Sequence, residues 1–212
     1  MPTFRTDYPW RDEETDTRYT HGHLPHKSQR GKIYVLTFRL ADALPPQVID
    51  AYLERLDHMP DRVEEHEPYL RTLRAYLMEA LDAGHGTCLL RHPPLRDILQ
   101  QTIAHHDGRT CDVHAYVIMP NHVHLLLELY PGEHITNVVG SIKKYSALRI
   151  NRAVNRTGRL WQREVFDRLV RSYKHYLNTV RYIYRNPLRF PASEFTLYIR
   201  PDVWEALKNP EE

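Results

Sequence analysis

Short runs of apolar residues indicate the β-strands of this chain. The clearest run covers residues 113–119, and after a Pro120-Asn121 turn a second apolar run covers residues 123–129. Two apolar runs separated by so short a polar turn are typical of neighbouring strands in one sheet. Three further stretches carry the same signal, at residues 33–40, at Cys88-Leu-Leu and within residues 159–171.

Apolar residues that recur every three or four positions indicate helices between these strands. In residues 68–83 four leucines share one face, and a glycine follows directly. The other predicted helices cover residues 47–58, 94–106, 135–154 and 173–185. The last of these must end near Asn186, because Pro187 disfavours helical geometry in the residue before it.

The order of these elements predicts an α+β fold. One mostly antiparallel sheet with helices packed on it accommodates strands and helices that alternate in this way. With 212 residues, of which 42% are hydrophobic, the chain fits one domain with a substantial core. Residues 1–31 are polar without a sustained period and are interpreted as an N-terminal arm. The tail after Phe190 has no motif that we can assign.

The composition argues against a membrane or secreted protein. No window approaches the roughly eighteen consecutive apolar residues of a membrane span, and the polar N-terminal residues lack the apolar core of a signal peptide. These patterns predict a cytoplasmic protein. The only two cysteines, Cys88 and Cys111, form no CxxC pair, which argues against a cysteine-based zinc site.

Charge is distributed unevenly, although the formal net charge is only +2. Residues 140–189 hold thirteen basic residues against two acidic ones, whereas residues 40–100 hold six basic residues against eleven acidic ones. The basic tract is interleaved with aromatic residues, a pattern that favours binding of phosphates and stacking on unpaired bases. The alternative is an ordinary solvated surface. The candidate DNA contacts are Lys143, Lys144, Arg149, Arg152, Arg181 and Arg185.

Two histidines lie one residue apart in the strand predicted after the Pro120-Asn121 turn. Because side chains alternate along a strand, His122 and His124 point the same way while Val123 points into the core. Two neighbouring imidazoles on a rigid strand suit one metal ion. A pair of surface histidines on a half-exposed strand is the competing interpretation, and residues far downstream favour the metal.

Those downstream residues belong to the last predicted helix. Tyr182 and Asn186 are four positions apart and share one helical face. With a metal ion polarising a phosphate oxygen, the Tyr182 phenolate can attack phosphorus and form a phosphotyrosine that preserves the bond for rejoining. Tyr145, Tyr176 and Tyr184 are rival nucleophiles. Tyr182 is preferred because Asn186 lies one turn beyond it.

Several motifs together resemble one known family of transposases. They are HLPH and IYVLTFRLADALPP near the start, then YVIMPNHVHLLL, GRLWQREVFDRLVR and VRYIYRNPLR. In this combination they resemble the REP-associated tyrosine transposases, relatives of the IS200/IS605 single-tyrosine transposases in the HUH superfamily. The resemblance covers most of residues 21–190.

The resemblance implies a ferredoxin-like five-stranded sheet, a Mg²⁺ or Mn²⁺ cofactor, and action on single-stranded DNA whose repeated palindromes fold into hairpins. It implies that His122 and His124 are metal ligands, that Tyr182 is the nucleophile and that Asn186 is a third, polar ligand. The regions would be an arm at 1–31, a catalytic domain at 32–190 with a helical insertion at about 45–84, and a tail at 191–212. The oligomeric state, monomer or homodimer, stays open.

Other functional classes fit the sequence less well. A metal-dependent hydrolase on a TIM barrel needs roughly 250 residues, and a jelly roll needs more strands and turns than eight glycines suggest. The stronger alternative is a non-catalytic regulator that binds DNA hairpins and derives from a transposase. The preferred hypothesis is a metal-dependent enzyme that nicks and joins single-stranded DNA.

Overall fold

A single five-stranded sheet lies at the centre of the protein. The computed structural model describes residues 18–21, 25–28, 31–60 and 63–208. Near the N-terminus, β1 (Arg18–His21) and β2 (Pro25–Ser28) pair with each other. The strands of the main sheet are β3 (Ile33–Arg39), β4 (Cys111–Ile118), β5 (His122–Leu129), β6 (Phe166–Leu169) and β7 (Thr196–Ile199).

The topology of this sheet confirms the predicted fold class. The strand order is β6-β3-β5-β4-β7, and every neighbouring pair is antiparallel. Without β7, the order is fourth, first, third and second strand, which is the ferredoxin-like arrangement. Strand β5 is therefore interior, with hydrogen-bonded neighbours on both sides.

The helices pack around the sheet and mostly begin and end where the sequence predicts. They are α1 (Pro46–Asp57), α2 (Val63–Asp82), α3 (Pro93–His106), α4 (Ile135–Ala153), α5 (Tyr173–Arg185) and α6 (Pro201–Lys208). Ser172 is the N-cap of helix α5, and its hydroxyl accepts a hydrogen bond from the backbone N–H of His175. None of the helices in the described ranges is long and apolar enough to cross a membrane.

Two predicted elements differ from the structure. The sequence predicts that this helix begins at Pro68, but α2 begins five residues earlier, at Val63, and Pro68 lies inside it. The helix tolerates Pro68 because the missing N–H removes only one helical hydrogen bond. The predicted strand at Cys88-Leu-Leu is wrong. Cys88 adopts a left-handed conformation with φ 48°, and Leu89–Arg91 form one 3₁₀ turn. Leu90 is fully buried within this turn, so the apolar signal at this position reflects burial and not pairing in the sheet.

Both ends of the chain contain strands that the sequence did not indicate. In the predicted N-terminal arm the backbone of β1 and β2 forms a small hairpin, and residues 1–17 lie outside the described ranges. In the predicted C-terminal tail, β7 pairs with β4 through Ala115 to Ile118. The described part of the tail is therefore built into the sheet, and α6 packs beside it through the buried Val203.

The two faces of β5 bury different sets of side chains. Val123, Leu125 and Leu127 belong to the larger core, which also contains buried residues of α3 and α4. On the opposite face, Leu126 belongs to a second core formed with α5. Since alternate residues share a face, His122 and His124 lie on the side that α5 covers.

Candidate active site

His122 and His124 open the interior strand β5 and lie on one face of it, as the alternation predicts. Each is 1% exposed. Opposite them on β3 lie Arg39, which pairs with His122, and Thr37, which pairs with His124. The Nε2 atoms of the two imidazoles face each other at 3.1 Å, and the rings are nearly perpendicular at 79°. Two nitrogen donors therefore converge on a single point.

The orientation of His122 is fixed by the turn that precedes β5. The side-chain amide of Asn121 donates from Nδ2 to the carbonyl oxygens of Leu81 and His85, at 3.2 and 3.1 Å. Its Oδ1 is thereby turned towards Nδ1 of His122, at 2.8 Å. Because an amide oxygen only accepts, Nδ1 of His122 carries the proton and Nε2 presents a lone pair.

His124 is oriented by the neighbouring strand and, like His122, is uncharged. Its Nδ1 lies 2.8 Å from the hydroxyl of Thr37, which holds the plane of the ring. Burial lowers the pKa of His124 to about 3, and burial together with the neighbouring His124 and Arg189 lowers the pKa of His122 well below its usual range. Both imidazoles are neutral near pH 7, which is the form that binds metal ions.

Helix α5 brings Tyr182 and Asn186 to the histidine pair. The Tyr182 hydroxyl lies 3.2 Å from Nε2 of His124, and the two rings are 5.0 Å apart. Asn186 donates from Nδ2 to the same hydroxyl at 3.2 Å. Tyr182 is 40% exposed, so its side chain lies at the rim of an otherwise buried site. The four residues singled out from the sequence thus lie together.

The rival tyrosines make contacts elsewhere. Tyr176 is fully buried, and its hydroxyl lies 2.9 Å from Nδ1 of His114. Tyr184 packs against Trp204 of α6, with ring centres 5.1 Å apart. Tyr145 is exposed on α4. Tyr182 is the tyrosine that the described contacts place beside the imidazoles.

The Tyr182 phenol is protonated in this environment. Burial raises its pKa to about 12, and the negative charge of Asp82 adds to the rise. The hydrogen bond from Asn186 and the positive charge of Arg189 act in the opposite direction without overcoming it. A phenol in this state is a weak nucleophile, so chemistry at Tyr182 needs a base or a nearby cation to remove the proton.

Asp82 is a member of this site that sequence reasoning missed. It is the last residue of α2, and its Oδ1 lies 3.7 Å from Nε2 of His122. Its other oxygen forms an ion pair with Arg189, and Asn186 also bonds the carboxylate. Burial raises the pKa of Asp82. It is one of eleven acids in residues 40–100, and nothing in the sequence separates it from the others.

The donor atoms fit a divalent metal ion, though sparsely. Two Nε2 atoms converge, and Oδ1 of Asn186 is buried without a hydrogen-bond partner. Across the described residues no three His, Cys, Asp or Glu side chains are grouped to hold a metal. Two imidazoles and one amide oxygen leave coordination positions free for water and phosphate oxygens, as Mg²⁺ and Mn²⁺ sites require.

The predicted DNA contacts fall into two groups. Lys143 donates from Nζ to the carbonyl oxygens of Gln162 and Arg163, at 2.7 and 2.9 Å, and burial lowers its pKa to about 8. It therefore ties α4 to the segment before β6. The others lie exposed or half-exposed at the surface: Lys144, Arg149, Arg152, Arg181 and Arg185. Two of these have side-chain partners, Gln101 for Arg149 and Asn178 for Arg181.

Comparison with known proteins places this chain among transposases. The family described as IS200-like transposases matches residues 91–186, a range that runs from the turn before α3 to Asn186. A protein of Haemophilus influenzae named as a REP-associated tyrosine transposase is 30% identical over 130 residues, which cover 51% of this chain and 71% of the relative.

Two solved structures are similar at lower levels. A REP-associated tyrosine transposase bound to a REP hairpin matches with a TM-score of 0.43 and 17% identity, over 84% of this chain and 74% of the other. A transposase of Deinococcus radiodurans matches with a TM-score of 0.32 and 21% identity, over 76% of this chain and 98% of the other. On the strength of the Haemophilus relative and of the family match, the resemblance read from the motifs is confirmed: the chain belongs to the REP-associated tyrosine transposases of the IS200-like group.

Proposed function

We propose that this transposase nicks and rejoins single-stranded DNA beside hairpins through a covalent bond to Tyr182. The observation that carries the proposal is the 3.2 Å separation between the Tyr182 hydroxyl and Nε2 of His124, which itself faces His122. A phenol beside two neutral, converging imidazoles is the arrangement that metal-assisted attack by tyrosine requires. The name of the Haemophilus relative supports REP-like palindromes as the class of hairpin.

His122, His124 and Asn186 would hold the divalent ion. When bound, that ion would draw charge from a non-bridging phosphate oxygen and orient the phosphodiester. Imidazole ligands suit Mn²⁺ better than Mg²⁺, which makes Mn²⁺ the better ion for assays. Asn121 and Thr37 keep the two rings aligned before any ligand arrives.

The chemical step belongs to Tyr182. Its hydroxyl loses a proton to water, and the phenolate oxygen then forms a bond to phosphorus while the bond from phosphorus to one sugar oxygen breaks and that oxygen takes up a proton from water. That sugar leaves with a free hydroxyl. The Asn186 Nδ2 group donates to the phenol oxygen and stabilises the negative charge that develops on it. The phosphotyrosine retains a bond of similar energy, so a hydroxyl of another strand end can reverse the step.

The basic tract supplies the binding surface for the strand. Lys144, Arg152 and Arg185 are exposed, and each phosphate contact releases counterions when DNA binds. Affinity for single-stranded DNA should therefore fall steeply as salt is raised. A flat dependence of affinity on salt would remove the basic tract as the DNA surface.

The covalent intermediate provides the test. Wild-type protein, Tyr182→Phe and the matched control Tyr184→Phe are incubated with end-labelled hairpin DNA and Mn²⁺, and then separated under denaturing conditions. The wild type and Tyr184→Phe should carry label, and Tyr182→Phe should carry none. Label on Tyr182→Phe would exclude Tyr182 as the nucleophile. Hairpin binding by the wild type without any labelled protein would favour the non-catalytic regulator instead.

A further inference from the structure

A groove runs between α2 and the edge of the sheet formed by β3 and β6. Its volume is about 160 Å³. Val35 and Thr37 of β3 and Phe166 of β6 line it from the sheet, and Leu70 and Met78 line it from α2. We refer to this space as the α2 groove. Most of the surface that lines it is apolar, and it is partly open to solvent.

One residue belongs to both the groove and the active site. Thr37 lines the α2 groove, and its hydroxyl lies 2.8 Å from Nδ1 of His124. The groove therefore begins one side chain away from the proposed metal ligands. A DNA strand whose cleaved phosphate lies at His124 would place a neighbouring nucleotide at the mouth of this groove.

A buried arginine lies beside Phe166, which lines the groove, and opposite His122 on the neighbouring strand. Arg39 shares a face of β3 with Thr37 and is 7% exposed, and its Nη1 is buried without a hydrogen-bond partner. Its guanidinium lies 5.4 Å from the centre of the Phe166 ring. A buried donor without a partner is costly to the folded protein, which points to a ligand that completes it.

The charge around the groove is complementary to a nucleic acid strand. Arg74 of α2 and Arg168 of β6 line it together with one acid, Asp167, and Arg39 lies beyond Phe166. The negative charge of Glu164 acts on Arg39, so three guanidinium groups and two carboxylates surround this space and leave it a net positive charge. An apolar slot with an aromatic ring and a cationic rim is the arrangement that binds an unpaired base and its phosphate.

We propose that the α2 groove takes one unpaired base of the DNA strand, from a nucleotide next to the cleaved phosphate. This inference rests on the proposed nicking function. The base would lie against Phe166 and Met78, and an exocyclic oxygen of the base would accept a hydrogen bond from Nη1 of Arg39. A cavity of about 150 Å³ holds a benzene ring, so a groove of this size takes one base and not two.

Single abasic substitutions test this inference directly. Wild-type protein is titrated with hairpins that carry a labelled single-stranded flank, in which one abasic nucleotide is moved along the flank position by position. Stacking of one base is lost at the position that occupies the groove, so affinity should fall about tenfold there and much less elsewhere. An equal, small loss at every position would show that the groove takes no base.

Three variants assign that loss to the groove. Phe166→Leu removes the ring but keeps an apolar side chain, and Leu70→Trp fills the groove from α2 without altering the sheet. Both should abolish the extra loss at the sensitive position. The matched control Tyr145→Leu removes an exposed aromatic ring from the basic tract. This variant should still show the extra loss of affinity at the sensitive position. A full position-dependent loss in both groove variants would overturn the inference.

The same DNA distinguishes failure of this inference from failure of the proposed function. A labelled covalent adduct that forms while no abasic position matters would overturn base binding and leave nicking intact. A position-dependent loss that Phe166→Leu and Leu70→Trp remove would support base binding, even where the wild type forms no adduct. Each readout is therefore decided independently of the other.

Discussion

Two regions meet at the candidate active site, and they are held in place by different kinds of contact. Strand β5 carries His122 and His124 and is hydrogen-bonded to β3 on one side and β4 on the other. Helix α2 reaches the site only with its C-terminal end. The described polar contacts that join this end to the site are those of the Asn121 amide and those of the Asp82 carboxylate, which lies 3.7 Å from His122, pairs with Arg189 and bonds Asn186.

This difference separates residues placed by backbone register from residues placed by side chains. The imidazoles cannot shift without breaking the ladder of an interior strand, whereas the end of α2 is held by side chains alone, namely Leu77 and Leu81 in the larger core and the polar contacts of Asp82. Substitutions on β5 should therefore abolish metal-dependent chemistry. Substitutions at the end of α2 should reduce metal-dependent chemistry only in part. The following variants compare the sizes of these losses.

The largest effect is expected for His124→Ala. It removes one imidazole ligand together with the contact to Tyr182, and loss of several kcal/mol of metal assistance corresponds to about a thousandfold or more in rate. Formation of the covalent adduct under single-turnover conditions measures the rate, and titration with Mn²⁺ measures binding. Both should be lost.

A second buried histidine provides the matched control for that variant. His106 is 8% exposed and bonds the hydroxyls of Thr110 and Ser141 on the other side of the molecule's larger core. His106→Ala should reduce stability and leave Mn²⁺ affinity unchanged. If both variants lose Mn²⁺ binding equally, the histidine pair is not the metal site.

An intermediate effect is expected for Asp82→Asn at the end of α2. The amide keeps the shape of the side chain but removes the charge near His122 and the ion pair with Arg189. Outer partners of metal ligands typically contribute 10–100-fold to metal affinity, and we expect a loss of about that size in Mn²⁺ binding. Glu79→Gln, an exposed acid on the same helix, should have no effect. Equal results for the two variants would remove Asp82 from the site.

The elements that sequence reasoning placed correctly are those encoded by neighbouring residues. The paired strands around Asn121 follow from local apolar runs, and the common face of His122 and His124 follows from strand alternation. The meeting of Tyr182 on α5 with Asn186, the residue that caps the end of that helix, follows from helical spacing. Each of these inferences needs only a few consecutive residues, and each agrees with the structure.

The parts that were missed depend on contacts distant in sequence. Asp82 reaches the site across 40 positions, and β7 joins the sheet through pairing with β4, about 80 residues earlier. The α2 groove is formed by four elements, α1, α2, β3 and β6, whose separate sequences show no common pattern. Lys143 also makes such a contact, since its amine bonds the carbonyl oxygens of Gln162 and Arg163, and its role as a DNA contact stays a prediction.

A smaller effect on metal binding is expected for Asn121→Ala. The Asn121 side chain bonds both the end of α2 and His122 of β5. The carbonyl oxygens of Leu81 and His85 lose their donor, which should cost about 1–3 kcal/mol of unfolding free energy. His122 loses the acceptor that fixes its tautomer, so Mn²⁺ affinity should fall about tenfold. Urea denaturation and Mn²⁺ titration measure the two effects. Asn151→Ala, which removes a comparable bond to Gly158, should leave Mn²⁺ affinity unchanged.

The smallest effect on chemistry is expected for Gly86→Ala, just beyond α2. Gly86 has a φ of +84°, and a Cβ there would lie 2.3 Å from the carbonyl oxygen of Asp42. Gly84 has a similar φ of +72° with nothing within 4 Å, so Gly84→Ala isolates the cost of the left-handed conformation, about 1–2 kcal/mol. Gly86→Ala should cost clearly more, because the backbone must also shift.

Metal binding by these two glycine variants sharpens the contrast between the regions. A shift at residue 86 moves the end of α2, and with it Asp82, but leaves the pairing of β5 intact. Gly86→Ala should therefore lose less Mn²⁺ affinity than Asp82→Asn while losing more stability than Gly84→Ala, as measured by thermal unfolding. Complete loss of Mn²⁺ binding in folded Gly86→Ala would contradict this, since it would mean that α2 positions the imidazoles as firmly as the sheet does.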